Sequence, residues 1–387
     1  MKKTVYLAFA LLIMLNGCTP NVNEDSTEAS ISTEAPTVFT PTHIETTETV
    51  DEVVFDPMEL VKDMTDEELV GQLFLVRYPG NDRAKEDIAR YHLGGFVLFG
   101  NDFKEDTPDS ITSKIASLQE NASVPLLFAV DEEGGTVTRV SRYAQFRSKN
   151  FSSPRKLYNN GGMEAIIETE NEKCQLLKSL GINVNLGPVC DITQNRSSFM
   201  YDRSLGQGPE ITADFTVTVV DIMDSHQLGS VLKHFPGYGD NTDTHNGIAI
   251  DNRSLTELEM VDLVPFQAGI NAGCDSIMIS HTYIMAIDSQ MPASLSKNVT
   301  QYLRNEMGFQ GVIMTDDLAM NAISDQFGPA EAAVLAIDAG VDMLCCTEYP
   351  EHYNAVLAAL QNGRISRDQL EKSVSRIILW KYKLGIL

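Results

Sequence analysis

Residues 229–245 read Gly229-Ser230-Val231-Leu232-Lys233-His234-Phe235-Pro236-Gly237-Tyr238-Gly239-Asp240-Asn241-Thr242-Asp243-Thr244-His245. The opening Gly229-Ser230-Val231-Leu232 is short and apolar, which predicts a strand with Lys233 and His234 at its C-terminal end. From Phe235 onward one proline, two glycines and Asp240-Asn241 break regular structure, so a loop follows. That loop carries Asp243 and His245 two residues apart. In an extended or turn conformation such a pair points to one side, so the carboxylate holds the imidazole in one tautomer and raises its basicity, as a general acid/base requires. An Asp-x-His pair in a polar loop is more often solvated surface. The Lys-His pair at the strand end beside it, followed by a Pro-Gly turn, favours chemistry.

Apolar runs that end in polar groups recur on both sides of this stretch. Strands are predicted over 72–77, 95–99, 125–130, 182–188, 229–234, 275–280, 311–316 and 342–346, with helix spacing over 83–91, 165–180, 212–223, 255–272, 330–339 and 368–382. Eight strands interleaved with helices predict an α/β fold, a (β/α)8 TIM-type barrel forming one catalytic domain over 56–387. A doubly wound open sheet has the same strand count. A barrel places functional groups at the C-terminal ends of its strands. Asp131 follows Leu126–Val130, Asp191 follows Gly187-Pro188-Val189, Lys233-His234 close the fifth strand, Ser280-His281 the sixth and Asp316-Asp317 the seventh. Such a cluster supports an enzyme of this fold and no particular reaction.

The 233–245 loop resembles that of the glycoside hydrolase family 3 β-N-acetylglucosaminidases: Lys-His-Phe-Pro-Gly, His or Leu, Gly, four residues, Asp-Ser/Thr-His. Here Tyr238 stands where His or Leu is usual, and three residues rather than four separate Gly239 from Asp243. Gly311-Val312-Ile313-Met314-Thr315-Asp316-Asp317 resembles the family's nucleophile signature, which implies Asp316 as the nucleophile and Asp317 as a neighbour pointing elsewhere. Standing alone, the run would read as an Asp-Asp helix start. Asp131-Glu132-Glu133-Gly134-Gly135 with Arg139 resembles the sugar-binding segment, with Thr136 where the family often has Arg. Asp202-Arg203-Ser204-Leu205-Gly206 resembles the next binding loop. The resemblance implies Asp131, Arg139, Arg203, Lys233 and His234 as substrate-binding residues, and it runs in the family's order over most of 56–387.

Family members of other specificity take their acid/base carboxylate from a second domain. The expectation here is a single domain, which together with the dyad favours the hexosaminidase branch. The implied reaction is retaining exo-β-N-acetylglucosaminidase action on cell-wall (peptidoglycan) or chitin-like oligosaccharides through a glycosyl-aspartate. Asp316 attacks, His245 protonates the leaving oxygen and then activates water, and Asp243 orients His245. A β-glucosidase or glycoside phosphorylase of the same family shares the pocket residues. A Schiff-base aldolase built on Lys233 fits a lysine at a strand end but leaves Asp316 and the dyad unexplained. A non-enzymatic sugar-binding lipoprotein would need neither Asp316, Asp243 nor His245.

Met1-Lys2-Lys3 and the apolar run from Val5 to Leu15 form the charged and hydrophobic parts of a secretory signal, too short to span a bilayer comfortably. Leu15-Asn16-Gly17-Cys18 resembles a bacterial lipobox, so 1–18 is expected to be a lipoprotein signal, with Cys18 lipidated and the protein anchored outside the membrane. A plain secreted protein with a free cysteine is the alternative. Residues 19–55 are rich in Thr, Ser, Glu and Pro, and no Lys or Arg occurs between Lys3 and Lys62. They hold too little apolar surface to offset ordering entropy and read as a disordered tether. A net charge of -25 argues against nucleic acid. The expected partners are a carbohydrate and, through Cys18, the membrane, with no obligate protein partner. Apart from Cys18 the cysteines lie at 174, 190, 274, 345 and 346, mostly in apolar runs, and read as core thiols. Neither Cys-x-x-Cys nor His-Glu-x-x-His occurs, so no metal is expected, and no cofactor.

Overall fold

The computed structural model describes residues 55–387 apart from 245 and 246. The predicted signal with Cys18, the predicted tether up to residue 54, and His245 lie outside the described residues. Among the described residues Ile250–Asp251 and Tyr283–Ile284 pair separately, and eight strands form the main sheet: β1 Phe74–Arg77, β2 Gly95–Leu98, β3 Leu127–Val130, β4 Val184–Asn185, β5 Gly229–Phe235, β6 Ser276–Ile279, β7 Val312–Thr315 and β8 Leu344–Cys346. They pair in parallel in the order β8-β1-β2-β3-β4-β5-β6-β7. A parallel bridge between Met314 and Met343 closes the ring, with Thr315 N–H donating to the Met343 carbonyl at 3.1 Å and Met343 N–H to Ile313 at 3.1 Å. An open doubly wound sheet would leave β7 and β8 as unpaired edges, so this is the (β/α)8 barrel.

Every residue of β2, β3, β6 and β7 is buried. Side chains on one face fill the barrel and those on the other meet the surrounding helices, which is why these strands read as continuous apolar runs rather than alternating ones. The predicted first strand began too early: Gln72 ends the helix Asp66–Gln72, whose N-terminus Thr65 and Glu68 secure with a reciprocal capping box. The segment 255–272 is two helices, Leu255–Met260 and Leu263–Asn271. Pro265 supplies no N–H and its ring crowds the carbonyl of Val261, where the first helix has ended. The helix predicted over 165–180 runs from Pro154 to Ser179, kinked at Gly162, whose φ of 63° leaves the helical region. Cys174, Cys190, Cys274, Cys345 and Cys346 are free, and all but Cys345 are buried.

One buried cation lies on the opposite face from the strands' C-terminal ends. Lys381, in the last helix Arg367–Lys383, is fully buried and among the described residues donates only to Gln72 Oε1, at 2.7 Å. Burial pulls its pKa down to about 7. Between that value and the ordinary lysine value of about 10.4 the unfolded chain holds a proton that the folded chain lacks, so stability rises with pH through this window and is lowest below pH 7. Lys381→Met, close in volume, is expected to raise the melting temperature by about 3 °C at pH 6 and by less at pH 10. Thermal unfolding across that range measures both the gain and the flattened slope.

Candidate active site

A cavity of about 570 Å³ opens at the C-terminal ends of the strands, the size range of a small-ligand pocket. Its wall takes Arg77 from β1, Asp131 and Arg139 from the segment after β3, Arg203, Lys233 and His234 from β5, and Asp316 after β7. All the described residues assigned by sequence to catalysis or sugar binding therefore line one cavity, except Asp243. Asp243 is half-buried in the loop after β5 and is not among the residues lining the cavity.

Strand alternation would send one of two consecutive residues away from the cavity. Lys233 and His234 both reach it, because the ladder between β5 and β6 shifts register between Leu232 and Phe235 and re-aims the strand. Lys233 is 2% exposed, and its Nζ sits 2.6 Å from Asp131 Oδ1 and 2.7 Å from Glu133 Oε1. Arg203 grips Glu133 with two parallel bonds, at 2.9 Å from Nε and 2.7 Å from Nη2. Arg139 Nη2 lies 3.3 Å from Asp131 Oδ2, and its Nε is buried without a hydrogen-bond partner among the described residues.

Burial alone would raise both carboxyl pKa values. The guanidinium and ammonium groups outweigh it, so Asp131 and Glu133 stay below the usual carboxylate range. Burial likewise pulls Lys233 down, but the same two carboxylates hold it above its ordinary value. A Schiff-base nucleophile must be a neutral amine. Lys233 is a held cation, which removes the aldolase reading.

Glu133 was missed by sequence, because nothing in Asp131-Glu132-Glu133 says which carboxylate turns inward. Glu132 serves the loop itself: it accepts backbone N–H bonds from Arg139 at 2.8 Å and Val140 at 2.7 Å and a bond from the Ser141 hydroxyl, and so presents Arg139 to the cavity. Arg155 does the same for Arg203 from below. It donates to the carbonyls of Tyr201 and Thr193 and to Ser204 Oγ. Its guanidinium packs so closely under Gly206 that a Cβ there would lie 2.2 Å away.

His234 Nδ1 lies 2.8 Å from Asp191 Oδ2, and Nε2 lies 3.3 Å from Arg203 Nη2. A guanidinium only donates, so Nε2 is the acceptor and Nδ1 carries the proton to Asp191. Asp191 also accepts the backbone N–H of His234 at 3.0 Å and of Tyr238 at 2.7 Å. The strand-end aspartate visible in the sequence is thus the fixture for the start of the loop.

Across the cavity, Asp316 Oδ1 accepts the Asp317 N–H at 2.9 Å. Asp317 lines the cavity as well, but its carboxylate is engaged by the turn. Its Oδ1 accepts from Ala319 N–H and Thr347 N–H, and its Oδ2 from the Thr347 hydroxyl at 2.6 Å. His281 braces this turn by donating from Nε2 to the Asp317 carbonyl at 3.0 Å. His281 therefore supports the turn, and neither Ser280 nor His281 is among the lining residues. The cavity floor also includes Cys345, whose thiol burial pushes well above its ordinary pKa.

Comparison with known proteins places the chain among glycoside hydrolases. The chain is 32% identical over 327 residues to beta-hexosaminidase A of Pseudoalteromonas piscicida, covering 77% of this chain and 55% of that protein. It is 32% identical over 280 residues to a beta-hexosaminidase of Nitrosomonas eutropha, covering 70% and 78%. Among solved structures, the glycoside hydrolase family 3 beta-N-acetylglucosaminidase of Paenibacillus sp. FPU-7 superposes with a TM-score of 0.79 at 32% identity, over 84% of this chain and 63% of that one. This chain thus spans little more than half of the Pseudoalteromonas relative and under two thirds of the Paenibacillus one. Residues 64–379 match the glycosyl hydrolase family 3 N terminal domain, and the chain belongs to glycosyl hydrolase family 3.

Proposed function

We propose that the chain is a retaining exo-β-N-acetylglucosaminidase that releases terminal N-acetylglucosamine from cell-wall or chitin-like oligosaccharides. The observation that carries this reading is the placement of Asp316 in one cavity with Asp131, Arg139, Arg203, Lys233 and His234, at the strand end where the Asp243–His245 loop begins. The hexosaminidase names of its relatives support the sugar. In this reading the ionised Asp131 accepts bonds from sugar hydroxyls, and Arg139 and Arg203 donate to others. Asp316 attacks the anomeric carbon and displaces the aglycone, whose oxygen takes a proton from His245. A water deprotonated by His245 then releases the sugar from Asp316, and Asp243 orients the imidazole throughout.

Retaining glycosidases usually employ two carboxylates. An imidazole in the second role avoids placing another anion beside the nucleophile, which would raise its pKa. Turnover of a panel of p-nitrophenyl glycosides tests the assignment. The β-N-acetylglucosaminide is expected to have a kcat/KM about 10²-fold above the β-glucoside, with no acceleration by inorganic phosphate. A preferred glucoside, or turnover that depends on phosphate, would assign the chain to the glucosidase or phosphorylase branch.

We also propose export and a lipid anchor at Cys18, with the activity outside the membrane, on the strength of the N-terminal sequence. The acidic sequence of 19–55 offers no other attraction to a bilayer. In a host that lipidates such proteins, Cys18→Ser is expected to move the protein from the membrane to the soluble fraction without loss of aryl-glycosidase activity. Equal partitioning of wild type and variant excludes the anchor.

A further inference from the structure

Tyr238, which stands where the family resemblance implies His or Leu, is held by several neighbours. Its ring meets Phe199 edge to face at 5.0 Å and His234 at 5.1 Å. Its backbone N–H is fixed by Asp191. The flanking Gly237 and Gly239 have φ of 110° and 54°, and they rest on an ion cluster: a Cβ at Gly237 would lie 2.5 Å from Asp262 Oδ1, and one at Gly239 would lie 2.8 Å from the Arg253 guanidinium. Arg253 pairs with Asp251 at 2.6 Å and with Asp262 at 2.5 Å, so the base under the loop is itself cross-linked.

From this base the Tyr238 hydroxyl meets Thr244 Oγ1 at 2.6 Å, with the two residues 1% and 0% exposed. A hydroxyl buried without a partner is costly, so each of these two requires the other. Burial and the nearby Asp316 carboxylate raise the phenol pKa well above its ordinary value, and the proton stays on the pair at any working pH. Thr244 is the residue between Asp243 and His245.

We propose that Tyr238 is a positioning residue for the acid/base pair: its hydroxyl bond to Thr244 holds the residue next to Asp243 and so anchors a loop one residue shorter than the family resemblance implies. This inference rests on the reading of Asp243 and His245 as the acid/base pair. It assigns to Tyr238 the service that loop length performs elsewhere. The alternative is a buried contact that only stabilises the fold.

Leaving-group dependence separates the two. The readout is the ratio of kcat/KM on an N-acetylglucosamine disaccharide, whose leaving group needs a proton, to kcat/KM on the dinitrophenyl glycoside, whose leaving group does not. Tyr238→Phe and Thr244→Val are each expected to lower this ratio about tenfold, and the double variant by no more than either single one, because one bond is lost in all three. Thr244→Ser, which keeps the hydroxyl, is expected to preserve the ratio. Melting temperatures measured alongside should recover in the double variant, where both partners are apolar, while the ratio stays low.

A ratio unchanged in Tyr238→Phe, losses that multiply in the double variant, or a ratio that recovers with the melting temperature would overturn the proposal. His245→Ala measured in parallel keeps the two claims distinct. If it lowers the ratio and Tyr238→Phe does not, the positioning role fails and the acid/base reading stands. If His245→Ala leaves the ratio unchanged, the acid/base reading itself fails, and the positioning role fails with it.

Discussion

Asp316→Ala is expected to lower kcat on p-nitrophenyl β-N-acetylglucosaminide by about 10³-fold or more, because removing the nucleophile closes the covalent route and leaves only binding and polarisation by the cavity. The neighbouring Asp317→Asn should cost far less in kcat and more in stability. The Asp317 carboxylate is occupied with Thr347 and the N–H of Ala319, and those bonds hold the turn that follows β7. Steady-state kinetics beside melting temperatures separate the two outcomes. Equal kcat losses at both positions, or a larger one at Asp317, would mean that the turn and not Asp316 carries the reaction.

His245→Ala should divide substrates by their leaving groups. On an activated aryl glycoside, kcat/KM for forming the glycosyl-enzyme needs little protonation and is expected to survive, whereas on a disaccharide it should fall by about 10²-fold or more. Deglycosylation loses its base in the same variant. Added azide, an anion that needs no deprotonation, is expected to raise kcat on the aryl substrate and to yield the β-glycosyl azide. Asp243→Asn should show a weaker version of the pattern, since it leaves the imidazole in place but unoriented. Equal slowing of both substrates with no response to azide would make the dyad structural.

The barrel was legible because parallel strands buried on both faces are written as uninterrupted apolar runs, and Leu126–Val130 and Gly311–Thr315 are of that kind. Closure was not legible. It depends on Met343 meeting Met314 across the last gap, a pairing between distant segments with no local signature. A local break was missed where one residue acts on a carbonyl a turn earlier, as Pro265 does, and the first turns of the helix from Pro154 were missed because Gly161-Gly162 hides the helical pattern before residue 165.

In the site, the strand-end positions of Asp131, Asp191, Lys233-His234 and Asp316 followed from the apolar runs before them, and their roles from the family resemblance. The residues that hold them did not follow. Glu133 is selected over Glu132 by the direction of one turn, Arg155 reaches Ser204 across 49 residues, and His234 joins Lys233 at the cavity only because the strand register shifts. The Tyr238 departure was visible in the sequence, but its compensation through Thr244 needed the distance between two hydroxyls.

The most direct test of the account is to trap the covalent intermediate. Wild-type enzyme treated with a fluorinated N-acetylglucosaminyl donor, which forms the glycosyl-enzyme faster than it is hydrolysed, should gain the mass of one sugar. Digestion and peptide mapping should place that sugar on Asp316, with Asp316→Ala gaining nothing. A sugar on Asp317, or turnover of the donor with inverted product and no adduct, would contradict the glycosyl-aspartate mechanism.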